Sequence, residues 1–173
     1  MPQYPLILPG LDINEAWLNA MHNQFAFKAA HTDRSSTTTF APDPDLVLPL
    51  TGSAVWRVEA WLLYGAGSTG DFKTSWSVPS GATGNRSVLG PGSTASDGGA
   101  DNIAMRAGVH NFSTTANYNG VRNSTGNLSF VLETATIWTA SAGDVAILWA
   151  QNTSDATATR LGAGSYMTAR RLA

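Results

Sequence analysis

From about Gln24 to the C-terminus, apolar residues recur at every second position in run after run, and Gly, Pro, Asn, Asp and Ser punctuate the runs. Side chains alternate across an extended strand, so each run places its apolar residues on one side. A chain built this way folds as an all-β protein. The spacing predicts an antiparallel β-sandwich, jelly-roll-like, with strands near Phe25 to Thr32, Ser36 to Phe40, Leu46 to Leu50, Ala54 to Tyr64, Phe72 to Val78, Ile103 to Phe112, Leu128 to Trp138, Asp144 to Asn152, Thr157 to Leu161 and Ser165 to Leu172. The stretch from Ser80 to Asn102 is rich in Gly, Ser, Thr and Asp and reads as a long loop.

The N-terminal segment obeys a different period. Pro2, Pro5 and Pro9 hold it extended and Gly10 permits a turn. Asp12 with Glu15 three residues on makes an Asp variant of the capping box, and Ile13, Trp17 and Met21 then fall at spacing four along one helical stripe that Leu18 widens. Residues 1–23 are therefore expected to form an arm and a short helix, and residues 24–173 the β-sandwich domain. Two uses of the Ile13, Trp17, Met21 stripe stand open: closing one end of the domain's own core, or docking on a neighbouring chain.

Composition narrows the function classes. The 173 residues include no cysteine, which excludes disulfides, thiol nucleophiles and thiolate metal sites. A net charge of -2 offers no basic stripe for nucleic acid or an anionic membrane. No run approaches the roughly 20 apolar residues of a membrane span, and the N-terminus lacks the basic leader and cleavage site of a signal peptide. Charged residues are only 13%, about half the usual share, which leaves open a surface largely covered by other subunits, a protein working outside the cell, or an ordinary low-charge β-domain.

The strand faces sharpen that last point. In Ala54 to Tyr64 one face carries Ala54, Trp56, Val58, Ala60, Leu62 and Tyr64, and this is the core side. The other carries Val55, Arg57, Glu59, Trp61 and Leu63, more apolar than a solvated face requires. In Leu128 to Trp138 the pattern assigns Leu128, Phe130, Leu132 and Trp138 to the inside and Val131, Ala135 and Ile137 to the outside. From Asp144 to Asn152, Val145, Ile147 and Trp149 oppose Ala146, Leu148 and Ala150. Several strands thus read as covered on both faces, although a sandwich buries only one face of each sheet. The Val55, Arg57, Glu59, Trp61, Leu63 face is the expected contact in a homo-oligomer, most simply a trimer.

No pattern carries catalysis, and no enzyme and no cofactor is expected. Gly65, Gly67 and Gly70 have dinucleotide-loop spacing, but Asp71 to Val78 alternates as a strand where that motif needs a helix, so a hairpin turn is expected. His22, His31 and His110 lie in separate elements. Asp43 with Asp45, and Asp97 with Asp101, are oxygen-rich turns of a kind calcium accepts, without EF-hand spacing. The sequons at Asn85, Asn111, Asn123, Asn127 and Asn152 gain no meaning without a secretory signal. Six tryptophans and four tyrosines leave one alternative, a sugar-binding platform, with Trp61 as its outward ring.

Several separated segments resemble one family. Arg34-Ser-Ser-Thr-Thr-Thr-Phe, Pro44-Asp45-Leu46-Val47-Leu48-Pro49-Leu50, Asp71-Phe72-Lys73 and Val78-Pro79-Ser80-Gly81-Ala82 are similar to small virion structural proteins of tailed phages infecting actinobacteria, of the minor tail, fibre or capsid-decoration type. Leu148 to Ser154, Ala156 to Thr159 and Gly164-Ser165-Tyr166 look like their closing strands. The resemblance spans Phe25 to Leu172. It implies a non-enzymatic particle protein, a homo-oligomer and often a trimer, made in the host cytoplasm and built into the virion beside other virion proteins; recognition of a host-surface glycan stays open as the alternative. No catalytic residue comes with it.

Overall fold

The longest apolar run of the sequence forms a strand. In the longest apolar run Trp56, Val58, Ala60, Leu62 and Tyr64 are buried, as a strand with one core-facing side requires. The computed structural model describes residues 9–10, 12, 22–95, 103–120 and 123–173. Among these residues lie β1 (Gln24–Phe27), β2 (Thr32–Arg34), β3 (Ala41–Leu50), β4 (Ala54–Ala66), β5 (Phe72–Ser77), β6 (Thr83–Ala95), β7 (Ile103–His110), β8 (Ala116–Tyr118), β9 (Ser124–Thr139), β10 (Gly143–Ala150), β11 (Thr159–Leu161) and β12 (Tyr166–Arg171). The protein is all-β, and every strand pair is antiparallel.

Two sheets share one core. The large sheet runs β1-β12-β4-β9-β6-β7, with β11 joining β4 and β2, and the small sheet runs β3-β10-β5-β8. From β3 to β10 the chain changes sheet at every step except β6 to β7, so that 3-10-5-8 lies against 4-9-6-7 and β12 and β1 widen the large sheet beyond β4. Aromatic rings join the layers: Tyr64 of the large sheet stacks on Phe72 of the small one at 4.7 Å, and Phe72 meets Trp149 at 5.8 Å.

A charged network sits inside this core. Glu133 and Arg86 are fully buried and paired. Glu133 also accepts from the Thr74 hydroxyl, from Trp76 Nε1 at 2.6 Å and from the Tyr118 hydroxyl at 2.7 Å, while Arg86 donates to the Thr74 and Thr114 carbonyls. The network therefore ties β6 and β9 of one sheet to β5 and β8 of the other. A second pair closes the opposite edge. Lys28 Nζ lies 3.0 Å from Asp43, 2.9 Å from Asp45 and 2.8 Å from the Thr32 hydroxyl, and Trp149 Nε1 donates to Asp43. An ammonium thus fills the position between Asp43 and Asp45 that had suggested calcium.

Four expectations change. The faces of β9 are inverted: Val131, Glu133, Ala135 and Ile137 point inward and are buried, while Phe130, Leu132 and Trp138 point out. Glu133 made the inner face look like the wet one, and only its partners from other strands make burial of its charge tolerable. The expected loop from Ser80 holds the 13-residue strand β6, whose Arg86 and Val88 alternate inward. Gly90 replaces a side chain there because a Cβ would stand 2.8 Å from the Tyr118 ring. Ser36 to Phe40 is not a strand; Ser36 has φ 55 and its N–H bonds to the Asp155 carbonyl. Gly65, Gly67 and Gly70 do not close a hairpin, since β4 and β5 belong to different sheets. The proposed docking helix of Ile13, Trp17 and Met21, and the Asp97 and Asp101 pair, lie outside the described residues.

Candidate functional site: the outer face of the large sheet

Strand register gathers the outward residues of the large sheet into rows. One row crosses it from edge to edge as Phe27, Tyr166, Trp61, Leu132, Leu89 and Ala107, each the direct cross-strand partner of the next. Directly opposed residues share a face, so the row is one apolar band. Trp61 stacks on Phe130 at 4.7 Å, and Phe25 stacks on Tyr166 at 5.7 Å and lies beside Phe27. The next row, Phe25, Thr168, Glu59, Thr134, Ser87 and Val109, is polar in the middle and apolar at both ends.

Exposure singles out this face. Among the described residues, the large hydrophobic side chains that stay exposed are Phe25, Phe27, Leu89, Met105, Val109, Phe130, Trp138 and Leu172, and all of them lie on it. They range from 37% for Phe130 to 67% for Val109. Summed over the face they leave on the order of 700 Å² of apolar surface, which the polar middle of the second row divides. The outer side of the small sheet carries none of them. There Ala146 and Ala150 are buried and Leu148 is half-buried.

Of the five residues read from the sequence as an interface, Val55, Glu59, Trp61 and Leu63 are half-buried and Arg57 is exposed, all on this face. The face is wider than those five. Phe25, Phe27 and Tyr166 come from strands too short or too polar to announce it, and Phe130 and Trp138 had been assigned to the core. Period-two alternation marks both faces of a strand equally well and cannot say which one is covered. Arg57 also stands directly opposite Arg170, a like-charge pair that is unfavourable unless an acidic group lies near.

Several of the exposed rings have their faces occupied. Trp61 lies against Phe130 with 10° between ring planes, so one of its two faces is taken. Trp138, 49% exposed, is the tryptophan left most accessible among the described residues.

At the β7 border of the sheet the inward side is basic. Arg106 reaches the Asn117 carbonyl of β8 at 3.2 Å. Burial, then the charges of Arg106 and Arg86, hold the His110 imidazole below its usual pKa. On the far border Arg160 grips Asp33 with two 2.7 Å bonds, keeping that carboxyl below the ordinary range. His31 accepts from the Ala163 N–H. Among the described residues no three His, Asp or Glu side chains form a metal-binding group, and none forms a helix long enough to cross a membrane.

The fold and this face define an antiparallel all-β protein whose exposed large apolar side chains, among the described residues, lie on one sheet surface. No protein-family model and no curated protein matches the chain. Two solved structures are similar over 88% of it: that of the infectious bursal disease virus Gx strain, at 7% identity, and that of the same virus's VP2 subviral particle, at 6%. Both have a TM-score of 0.23, and the chain spans 36% and 40% of their lengths. Overlap of that size carries no argument about fold or role, which rest on the strand order and the face.

Proposed function

We propose that this chain is a non-enzymatic structural protein of a phage particle, which assembles with further copies of itself through the outer face of the large sheet. The observation that carries this reading is the confinement of the large exposed hydrophobics to that one face. Left wet, such a surface makes a sticky monomer; a closed homo-oligomer, a trimer in its simplest form, hides it in every subunit. The strand order supports the setting. An eight-strand core ordered 3-10-5-8 against 4-9-6-7 is that of a jelly roll, an architecture shared by viral capsid and lectin domains. Fold alone does not assign function, so the adhesive face takes the larger weight. The sequence resemblance adds the tailed-phage context, with tail or fibre ahead of capsid decoration, and the arm of residues 1–23 fits a second contact to other virion proteins.

Sedimentation velocity on the wild type and Trp61→Arg tests the proposal. The wild type is expected to sediment as an oligomer and the variant as a smaller, folded species, because the inward Ala60 and Leu62 are untouched. A monomeric wild type, or an unchanged mass in the variant, overturns it. The exposed Trp138 favours a second reading, recognition of a host-surface polysaccharide. Retention on host-wall glycan that disappears in Trp138→Ala would establish that role instead.

A further inference from the structure

The five described strands that stand at sheet borders are not treated alike. A border strand presents unpaired N–H and C=O groups, and proteins ordinarily block them by shortness, proline or charge. β1 has four residues, and β2 and β8 have three each. β3 carries Pro42, Pro44 and Pro49 along its ten residues, with Asp43 and Asp45 between them. β7 carries the least of this protection. It runs eight residues, Ile103–His110, with no proline and one full charge, and among the described strands it pairs with β6 alone. Its outward residues Met105 and Val109 are 50% and 67% exposed and continue the apolar face of the sheet.

We propose that β7 is a strand-addition site whose occupant is β7 of a second copy, paired antiparallel about a two-fold axis through Ala107. The register follows from charge and length. For the outward faces of two copies to run together, a residue must meet one of the same parity. Centring on Arg106 sets two guanidiniums opposite each other. Centring on Gly108 sets Arg106 against His110, two basic groups, and shortens the ladder. Centring on Ala107 sets Arg106 against Gly108, Met105 against Val109 and Ala107 against itself. Gly108 has no side chain to obstruct Arg106, which in any case turns inward to the Asn117 carbonyl. The result is one sheet running through both copies, with a doubled apolar face presented to the next partner. The contact uses the sheet edge and stands apart from the face-to-face contact proposed above.

The absence of cysteine makes the test direct. Directly opposed Cα atoms in an antiparallel pair are about 4.5–5.5 Å apart, inside the range a disulfide spans. Single cysteines are introduced at positions 105, 106, 107, 108 and 109 in the full chain, and mild oxidation is read on non-reducing gels. Ala107→Cys is expected to become mostly disulfide-linked dimer. Val109→Cys is expected to stay monomeric on the gel, because four residues of strand, roughly 13 Å, separate it from its own copy. Crosslinking that is absent at 107, equal at 107 and 109, or centred on another position overturns the proposal. So does a crosslink at 107 that appears only after residues 1–21 are removed, because the chain's own N-terminal segment would then be the occupant. Repeating the series in Trp61→Arg separates the two contacts: the 107 crosslink is expected to persist there, whatever becomes of the oligomer formed through the face.

Discussion

Removing the Arg86 charge while leaving Glu133 in place tests whether the buried network holds the two sheets together. In Arg86→Met the carboxylate keeps its bonds from Thr74, Trp76 and Tyr118 but loses its counter-charge in a fully buried site. Stripping one partner from a buried pair costs about 3–5 kcal/mol, because the remaining charge stays desolvated. In a protein of this length that corresponds to a fall in Tm of roughly 6–20 °C. Glu133→Gln alone leaves Arg86 buried and uncompensated and is expected to cost a similar amount. The double variant Arg86→Met/Glu133→Gln removes both charges, so its loss should fall short of the sum of the single losses by about 2 kcal/mol or more. Urea unfolding of the four proteins, followed by tryptophan fluorescence, completes the cycle. Single losses below about 1 kcal/mol, or additive losses, would refute the claim that the pair acts as a unit.

Three further outcomes follow from particular contacts. The folded His110 pKa is depressed, so the unfolded chain binds more protons below about pH 6.5; stability is expected to fall on acidification from that point and level off below the folded pKa, and His110→Asn should flatten this part of a Tm-against-pH curve. Gly90→Ala drives a methyl to 2.8 Å from the Tyr118 ring, which its bond to Glu133 holds in place, and calorimetry should show a loss of about 1–3 kcal/mol. Lys28→Met leaves Asp43 buried beside Asp45 without its ammonium, and chemical denaturation should show a loss of about 3 kcal/mol or more, which Lys28→Arg partly avoids.

Much of the architecture was legible in the residue pattern. Alternation with turn punctuation announced an antiparallel all-β chain, placed most strands within a few residues, and identified the inward face of β4 correctly from Ala54 to Tyr64. It also set Val55, Arg57, Glu59, Trp61 and Leu63 together on the opposite face, where the structure has them. These are local properties: the pleat alternates side chains whatever the strand pairs with, and turn residues act through their own backbone preferences.

Tertiary structure decided what depends on partners distant in sequence. Glu133 lies inward because Arg86, Thr74, Trp76 and Tyr118 converge on it from three other strands, and that reverses both faces of β9. β6 is a strand because β7 and β9 satisfy its backbone on either side, although Gly84, Ser87, Gly90 and Pro91 read locally as loop. Phe25 and Phe27, two alternating aromatics in a four-residue strand, join the Trp61 band only because β12 and β4 carry the register across to them. A single strand's pattern records that two faces differ; which face is wet depends on the neighbours that supply its hydrogen bonds and counter-charges, and the pattern does not contain them.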